Sequence, residues 1–170
     1  KEGFEYLEEN YEALFNLPEM LNGKIGKIKD GKDIFKVAKK LISISISNHL
    51  EQLSTDPKEK KLARPLDFGH EWAHKLEMIT HHRLSHGQAV AIGMAIDSYI
   101  SWKRGYITED DFDRIINLIQ AVELPIYDKK ATFDNIWSGL EEFRKHLGGK
   151  LTISLLGKIG EKKDVQDEDV

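Results

Sequence analysis

The chain has 170 residues, with 25 Lys+Arg against 29 Asp+Glu for a formal charge of −4, 40% hydrophobic residues and no cysteine. That length holds one domain, or at most two small ones, with a real core, and the missing thiols exclude a disulfide scaffold, a thiolate zinc site and a cysteine nucleophile. The mild acidity argues against nucleic acid as main partner, and no apolar run nears the roughly 20 residues of a bilayer span, so no membrane partner and a cytoplasmic location are expected. The chain opens at Lys1 rather than Met and is in amphipathic sequence by Phe4, which reads as a piece of something longer.

In chain order, Phe4, Tyr6, Leu7, Tyr11, Leu14 and Phe15 recur at three- and four-residue spacing among glutamates and predict a helix over residues 4–15. Gly23, Gly26 and Gly31 among lysines predict a loop. Asp33 is placed to cap a long helix over about residues 34–53, with Ile34, Val37, Ala38, Leu41, Ile42 and Ile46 as its core face. After a polar connection a helix is expected over residues 68–79 with Asp67 as its cap, and Ser85 with Gln88 forms a capping box that starts the next helix at His86. Its run from Ala89 to Ile96 is apolar on every side, the mark of the most buried helix. Helices over 108–122 and 133–146 follow, then a short apolar strand over 151–156, and a charged tail from Glu161 that is expected to fray. The fold class is all-α, multi-helical, with room for one short β-hairpin.

Five of the seven histidines, His70, His74, His81, His82 and His86, fall within 17 residues; an even spread would place about 0.7 there. His70 and His74 are four apart and so share one helix face, which Glu77 joins. Imidazole and carboxylate are the ligands of a catalytic zinc-like ion, and His86 can reach the same point from the next helix. The competing explanation is a solvated histidine face, and for His81 and His82 an exposed loop is the better reading. Residues 70–74 also spell His-Glu-Trp-Ala-His, the H-E-x-x-H pattern in which Glu71 would be the general base of a metallopeptidase. That reading needs a third ligand, sought at Glu109 or Asp110; the metzincin extension fails because its third position is Thr80.

Reading outward from His70, the segment Arg64-Pro-Leu-Asp-Phe-Gly-His-Glu-Trp-Ala-His-Lys-Leu-Glu77 and then Leu84-Ser-His-Gly-Gln-Ala-Val-Ala-Ile-Gly-Met94 resembles the signature of the 3-dehydroquinate synthase family of sugar-phosphate cyclases. Two metal histidines are 16 apart in that pattern, as His70 and His86 are here, and residues 149–160 are similar to its closing stretch. The resemblance implies that His70 and His86 are two of three ligands to zinc or another divalent metal, the third being a glutamate before this chain begins. It implies that His74 transfers protons, that Glu59 matches an acidic residue of the family, and that Arg64, Asp67, Arg144, Lys145 and His49 stand at substrate-binding positions. Glu71 falls where the family varies.

The departures are specific. His49 stands where dehydroquinate synthases have a lysine, Ala63 where they have an arginine with Arg64 adjacent, Asp67 where they have asparagine, and Gln88 where they have glutamate. The Arg-Pro-Leu-Asp-Phe-Gly-His form is similar to the valiolone-type synthases, which cyclise sedoheptulose 7-phosphate. Losing cations and gaining an anion changes recognition of a carboxylate substrate. The implied enzyme uses NAD bound in its own N-terminal α/β domain, oxidises a sugar phosphate transiently, eliminates phosphate and closes a carbocycle; a homodimer is compatible with it. Residues 1–170 would then be the helical metal-binding, catalytic C-terminal domain, about half of the enzyme and inactive alone. No G-x-G-x-x-G fingerprint occurs here, so the NAD site is expected elsewhere.

Overall fold

The structure, a computed structural model, describes residues 1–13, 15, 33–55, 67–146 and 152–166. Chain contacts divide it into two compact units, Lys1–Glu59 and Lys60–Val170. The glycines at 23, 26 and 31, together with Glu59, Ala63 and Arg64, lie outside the described residues.

In the first unit, α1 (Glu2–Asn10) packs on α2 (Ile34–Thr55). The expected helix over 4–15 is interrupted by a turn at Tyr11. Asp33 caps α2 as anticipated, its Oδ1 accepting from Lys36 N–H at 3.2 Å. The core here is Ala13, Ile34 and Val37, with Tyr6 and Leu41 against it. The expected core face does not continue: Ile42 and Ile46 are 57% and 53% exposed. Length explains part of this, since a 9-residue helix spans about 13 Å and a 22-residue helix about 33 Å.

The second unit carries the histidine cluster. There α3 (His70–Ile79) packs against α4 (His86–Lys103) and α6 (Phe133–His146), while α4 also meets α5 (Glu109–Ala121) and β1 (Thr152–Lys158). Leu76 and Ile92 join α3 to α4, and Trp72, Leu140, Ile153, Leu155 and Val165 close the core over the hairpin. Each such side chain, fully buried, contributes about 1.5–3 kcal/mol. The all-α expectation holds, and so does the hairpin.

Two boundaries differ from expectation. Residues 161–166 do not fray: β2 (Glu161–Gln166) pairs antiparallel with β1, Ile153 opposite Val165 and Leu155 opposite Lys163. A turn at Gly160, φ 83°, lets the chain reverse, and Val165, 2% exposed, anchors the returning strand among charged neighbours. Nor does Asp67 cap α3. The helix starts at His70 with Gly69 as N-cap, φ 80°, and no side-chain cap of its own.

That glycine is dictated by packing as well as by its backbone. A Cβ on Gly93 would stand 2.0 Å from Gly69 O, and a Cβ on Gly69 would stand 2.7 Å from Val90 O. The two helices therefore touch backbone to backbone at this point. The Ser85–Gln88 capping box forms as expected, with Ser85 N–H donating to Gln88 Oε1 at 2.9 Å and Gln88 N–H to Ser85 Oγ at 3.4 Å. Thr108 caps α5 by accepting from Asp111 N–H at 3.1 Å. Between α3 and α4 the chain turns through His81 and His82, φ 52° and 56°, both exposed as the loop reading had them.

Candidate metal and proton-transfer site

The short turn brings the end of α3 beside the start of α4. The ring centroid of His86 lies 5.3 Å from that of His70 and 6.1 Å from that of His74. Glu77 Oε2 stands between the helices, 3.1 Å from His86 Nδ1 and 3.7 Å from His74 Nδ1. Two of the five clustered histidines, His74 and His86, thus meet one carboxylate, His70 lies ring to ring with His86, and His81 and His82 stay in the turn.

Proton placement follows from the partners. His70 Nδ1 lies 3.3 Å from the Phe68 carbonyl and His86 Nδ1 lies 3.1 Å from Glu77 Oε2. A carbonyl and a carboxylate only accept, so each Nδ1 carries its hydrogen, and in the neutral ring that leaves the Nε2 lone pair for a ligand. Metal-ligating histidines have this arrangement: the outer nitrogen is tied to an acceptor and the other faces the ion. Burial lowers the pKa of His70, and the neighbouring His86 lowers it further while the Phe68 carbonyl acts in the opposite sense. Neutral imidazole is the ligating form. The chemistry of this pair fits a zinc-like ion. Among the described residues, however, no group of three or more His, Cys, Asp or Glu side chains is placed to hold a metal, so the pair supplies two donors of the usual three.

Glu71 belongs to another environment. It is 2% exposed, its Oε1 accepts from Ser154 N–H of β1 at 2.8 Å, and its Oε2 has no hydrogen-bond partner. Burial pushes its pKa up to about 7. A general base must reach the water it activates, and a carboxylate sealed against the hairpin is not offered to the histidine face. The peptidase reading of His-Glu-Trp-Ala-His loses its base. Glu109 and Asp110, the third ligands it would need, sit in the first turn of α5, an ordinary place for acidic residues.

The anticipated substrate positions are spread more widely. Asp67 is buried three residues before His70, and its charge raises the pKa of both His70 and Glu71. Arg144 and Lys145 lie near the end of α6, just past Glu142, whose carboxylate holds Lys75 of α3 at 2.5 Å; Arg144 is 3.7 Å from Glu141 on its own helix. His49 is exposed on α2 in the first unit. The histidine group itself is drawn from α3 and α4.

Sequence reasoning missed Asp97. It is fully buried, its Oδ2 accepts from Gly69 N–H at 2.7 Å and its Oδ1 from Trp72 Nε1–H at 2.6 Å. Burial first, and the nearby Glu71 second, drive its pKa well above the usual carboxylate range. The available signal was a charged residue directly after an apolar run.

Residues 1–146 match the family model described as 3-dehydroquinate synthase C-terminal. The 3-dehydroquinate synthase of Caldanaerobacter subterraneus subsp. tengcongensis is 32% identical over 171 aligned positions, covering 98% of this chain and 43% of that protein. The 2-epi-valiolone synthase of Stigmatella aurantiaca is 38% identical over 114, covering 66% of this chain and 28% of the relative. Among solved structures, the 2-epi-5-epi-valiolone synthase of Streptomyces hygroscopicus subsp. jinggangensis, with NAD+ and Zn2+ bound, superposes with a TM-score of 0.80 at 28% identity, over 98% of this chain and 42% of that one. The chain thus spans well under half the length of the relatives it matches. With the histidine spacing, the helical fold and a family match over residues 1–146 in agreement, the chain belongs to the 3-dehydroquinate synthase C-terminal family, within the sugar-phosphate cyclases.

Proposed function

We propose that this chain is the metal-binding, proton-transferring half of an NAD-dependent sugar-phosphate cyclase, working with an N-terminal α/β domain outside these residues that holds NAD. The observation that carries the reading is the paired outer bonding of His70 and His86: each Nδ1 is tied to an acceptor and the rings lie 5.3 Å apart. His70 and His86 would hold a zinc-like ion with a third ligand from beyond the described residues. Such an ion, when bound, supplies Lewis-acid polarisation of a substrate hydroxyl and of the carbonyl it becomes. NAD, held by the N-terminal domain, would supply a hydride acceptor and donor.

This chain's own groups do the remaining work. His74, exposed and one turn from His70, carries a proton between substrate and solvent, and Glu77 beside it steadies the ring. Arg64, Arg144 and Lys145 supply charge for the phosphate and hydroxyl groups of the substrate. Asp67 and His49 stand where dehydroquinate synthases carry an asparagine and a lysine, and an added carboxylate repels a carboxylate substrate. The favoured substrate is therefore a heptulose phosphate without one.

The test uses the full-length protein: zinc content, and NAD-dependent phosphate release from sedoheptulose 7-phosphate and from a carboxylated heptulosonate 7-phosphate. Release from the first is expected. Phosphate retained with every sugar phosphate, together with no bound metal, overturns the cyclase reading. Glu71→Gln separates it from a peptidase, which would lose all activity; here phosphate release is expected to persist, because Gln keeps an oxygen for Ser154 N–H.

A further inference from the structure

The mechanism above leaves the buried acids Glu71 and Asp97 unused, and the second bears on the histidines. Asp97 lies in the most apolar helix, 11 residues beyond His86, with 0% of its surface exposed. A carboxylate so placed is costly unless its oxygens are matched. Both are matched, and both by α3: Gly69 N–H at the N-cap and the Trp72 indole N–H in the first turn. Helix starts leave backbone N–H groups without partners and favour negative charge. Gly69 has no side chain to answer that need, so α4 delivers a carboxylate instead.

The consequence is geometric. One hydrogen bond would leave α3 free to turn about it; two, to groups three residues apart, fix its rotation. The backbone contact of Gly69 with Gly93 fixes its depth, since even a methyl group at Gly93 would stand 2.0 Å from Gly69 O. His70 follows Gly69 directly, so whatever orients Gly69 orients the His70 ring relative to His86. The geometry points to Asp97 as a positioning residue for the His70–His86 pair: through Gly69 and Trp72 it sets the rotation of α3 that lets the two imidazoles meet. This rests on the metal reading proposed above.

A merely structural role is separated by a matched control. Ser101 is equally buried on α4, but its hydroxyl donates to Asp97 O at 2.6 Å and accepts from Leu156 N–H of β1 at 3.0 Å, so it ties the helix to the hairpin. In the full-length protein, Asp97→Asn preserves shape while converting one acceptor oxygen into an NH2 group, and one α3 donor loses its partner. Zinc affinity, read by chelator competition on the folded fraction, is expected to fall about 10–100-fold in Asp97→Asn and to stay within about twofold in Ser101→Ala. Trp72→Phe removes the indole N–H together with part of a buried ring, should move affinity, read on the folded fraction, in the same direction by less, and decides the matter where Asp97→Asn does not fold. Wild-type affinity in Asp97→Asn and Trp72→Phe, or an equal loss in Ser101→Ala, overturns the positioning role alone. A wild-type protein that binds no zinc overturns the metal reading and this inference with it.

Discussion

The two faces of α3 use the same residue types for opposite ends. On one face His70, His74 and Glu77 look toward the start of α4, with Glu77 16% exposed at its side chain and hydrogen-bonded to His86. On the other face Glu71, Trp72, Ala73 and Leu76 are buried against α4, α6 and the hairpin. Glu77 and Glu71 are carboxylates six residues apart on one short helix. Burial, and after it the charge of Asp67, push the pKa of Glu71 up to about 7, whereas Glu77 meets two imidazoles. Environment, set by which side of a ten-residue helix a side chain leaves, decides which carboxylate can serve chemistry.

The contrast can be broken most severely at the histidines. His86→Ala in the full-length protein should abolish stoichiometric zinc and reduce phosphate release to background; retained zinc by elemental analysis would place the metal elsewhere. His74→Ala should keep zinc and lower kcat by about 10²–10⁴-fold, the usual contribution of a positioned acid–base group. Loss of zinc in that variant would instead make His74 a ligand. Glu77→Gln sharpens the comparison further. It keeps an acceptor for His86 Nδ1–H but removes the charge, so zinc affinity should fall by about tenfold, at the low end for outer-shell changes. A Glu77→Gln protein with wild-type affinity would show that the turn alone orients His86.

Much of this was legible before any coordinates. The apolar-all-round run of residues 89–96 announced the central helix, the Ser85–Gln88 box fixed where it begins, and the 16-residue spacing of His70 and His86 named the pair that the turn brings together. These signals are local or repeat at helical period. The rest depended on contacts between distant residues. Nothing near Asp67 shows that it will not cap α3, because the competing acceptor, Asp97, is 28 residues from the Gly69 it serves. Nothing in the charged stretch from Glu161 shows a strand until Val165 has Ile153 opposite it. The expected core face of α2 continued the helical period past the point where burial ends, since periodicity gives a helix its direction but not its partner's length.

The turn between the two faces carries the smallest expected effect. Arg83 NH2 donates to Asp128 Oδ2 at 2.6 Å, tying the α3–α4 turn to the segment before α6, and Asp128 Oδ1 also accepts from Lys130 N–H at 2.9 Å. The Arg83 guanidinium, chiefly through that hydrogen bond, lowers the Asp128 pKa below its ordinary 3.8. Since Arg83 is 55% exposed at its side chain, the pair should contribute only about 0.2–1 kcal/mol. A depressed carboxylate pKa stabilises the folded chain fully above the unfolded value, and that contribution is lost as pH falls through the folded value. Asp128→Asn should therefore lower stability by a small, constant amount at neutral pH, leave zinc affinity unchanged, and converge on the wild type as the pH of denaturant titrations drops below about 4. If the deficit persists unchanged into that acid range, the ion pair is not its source. The bond to Lys130 N–H, which an asparagine oxygen can still accept, would then be the contact that the substitution has misaligned.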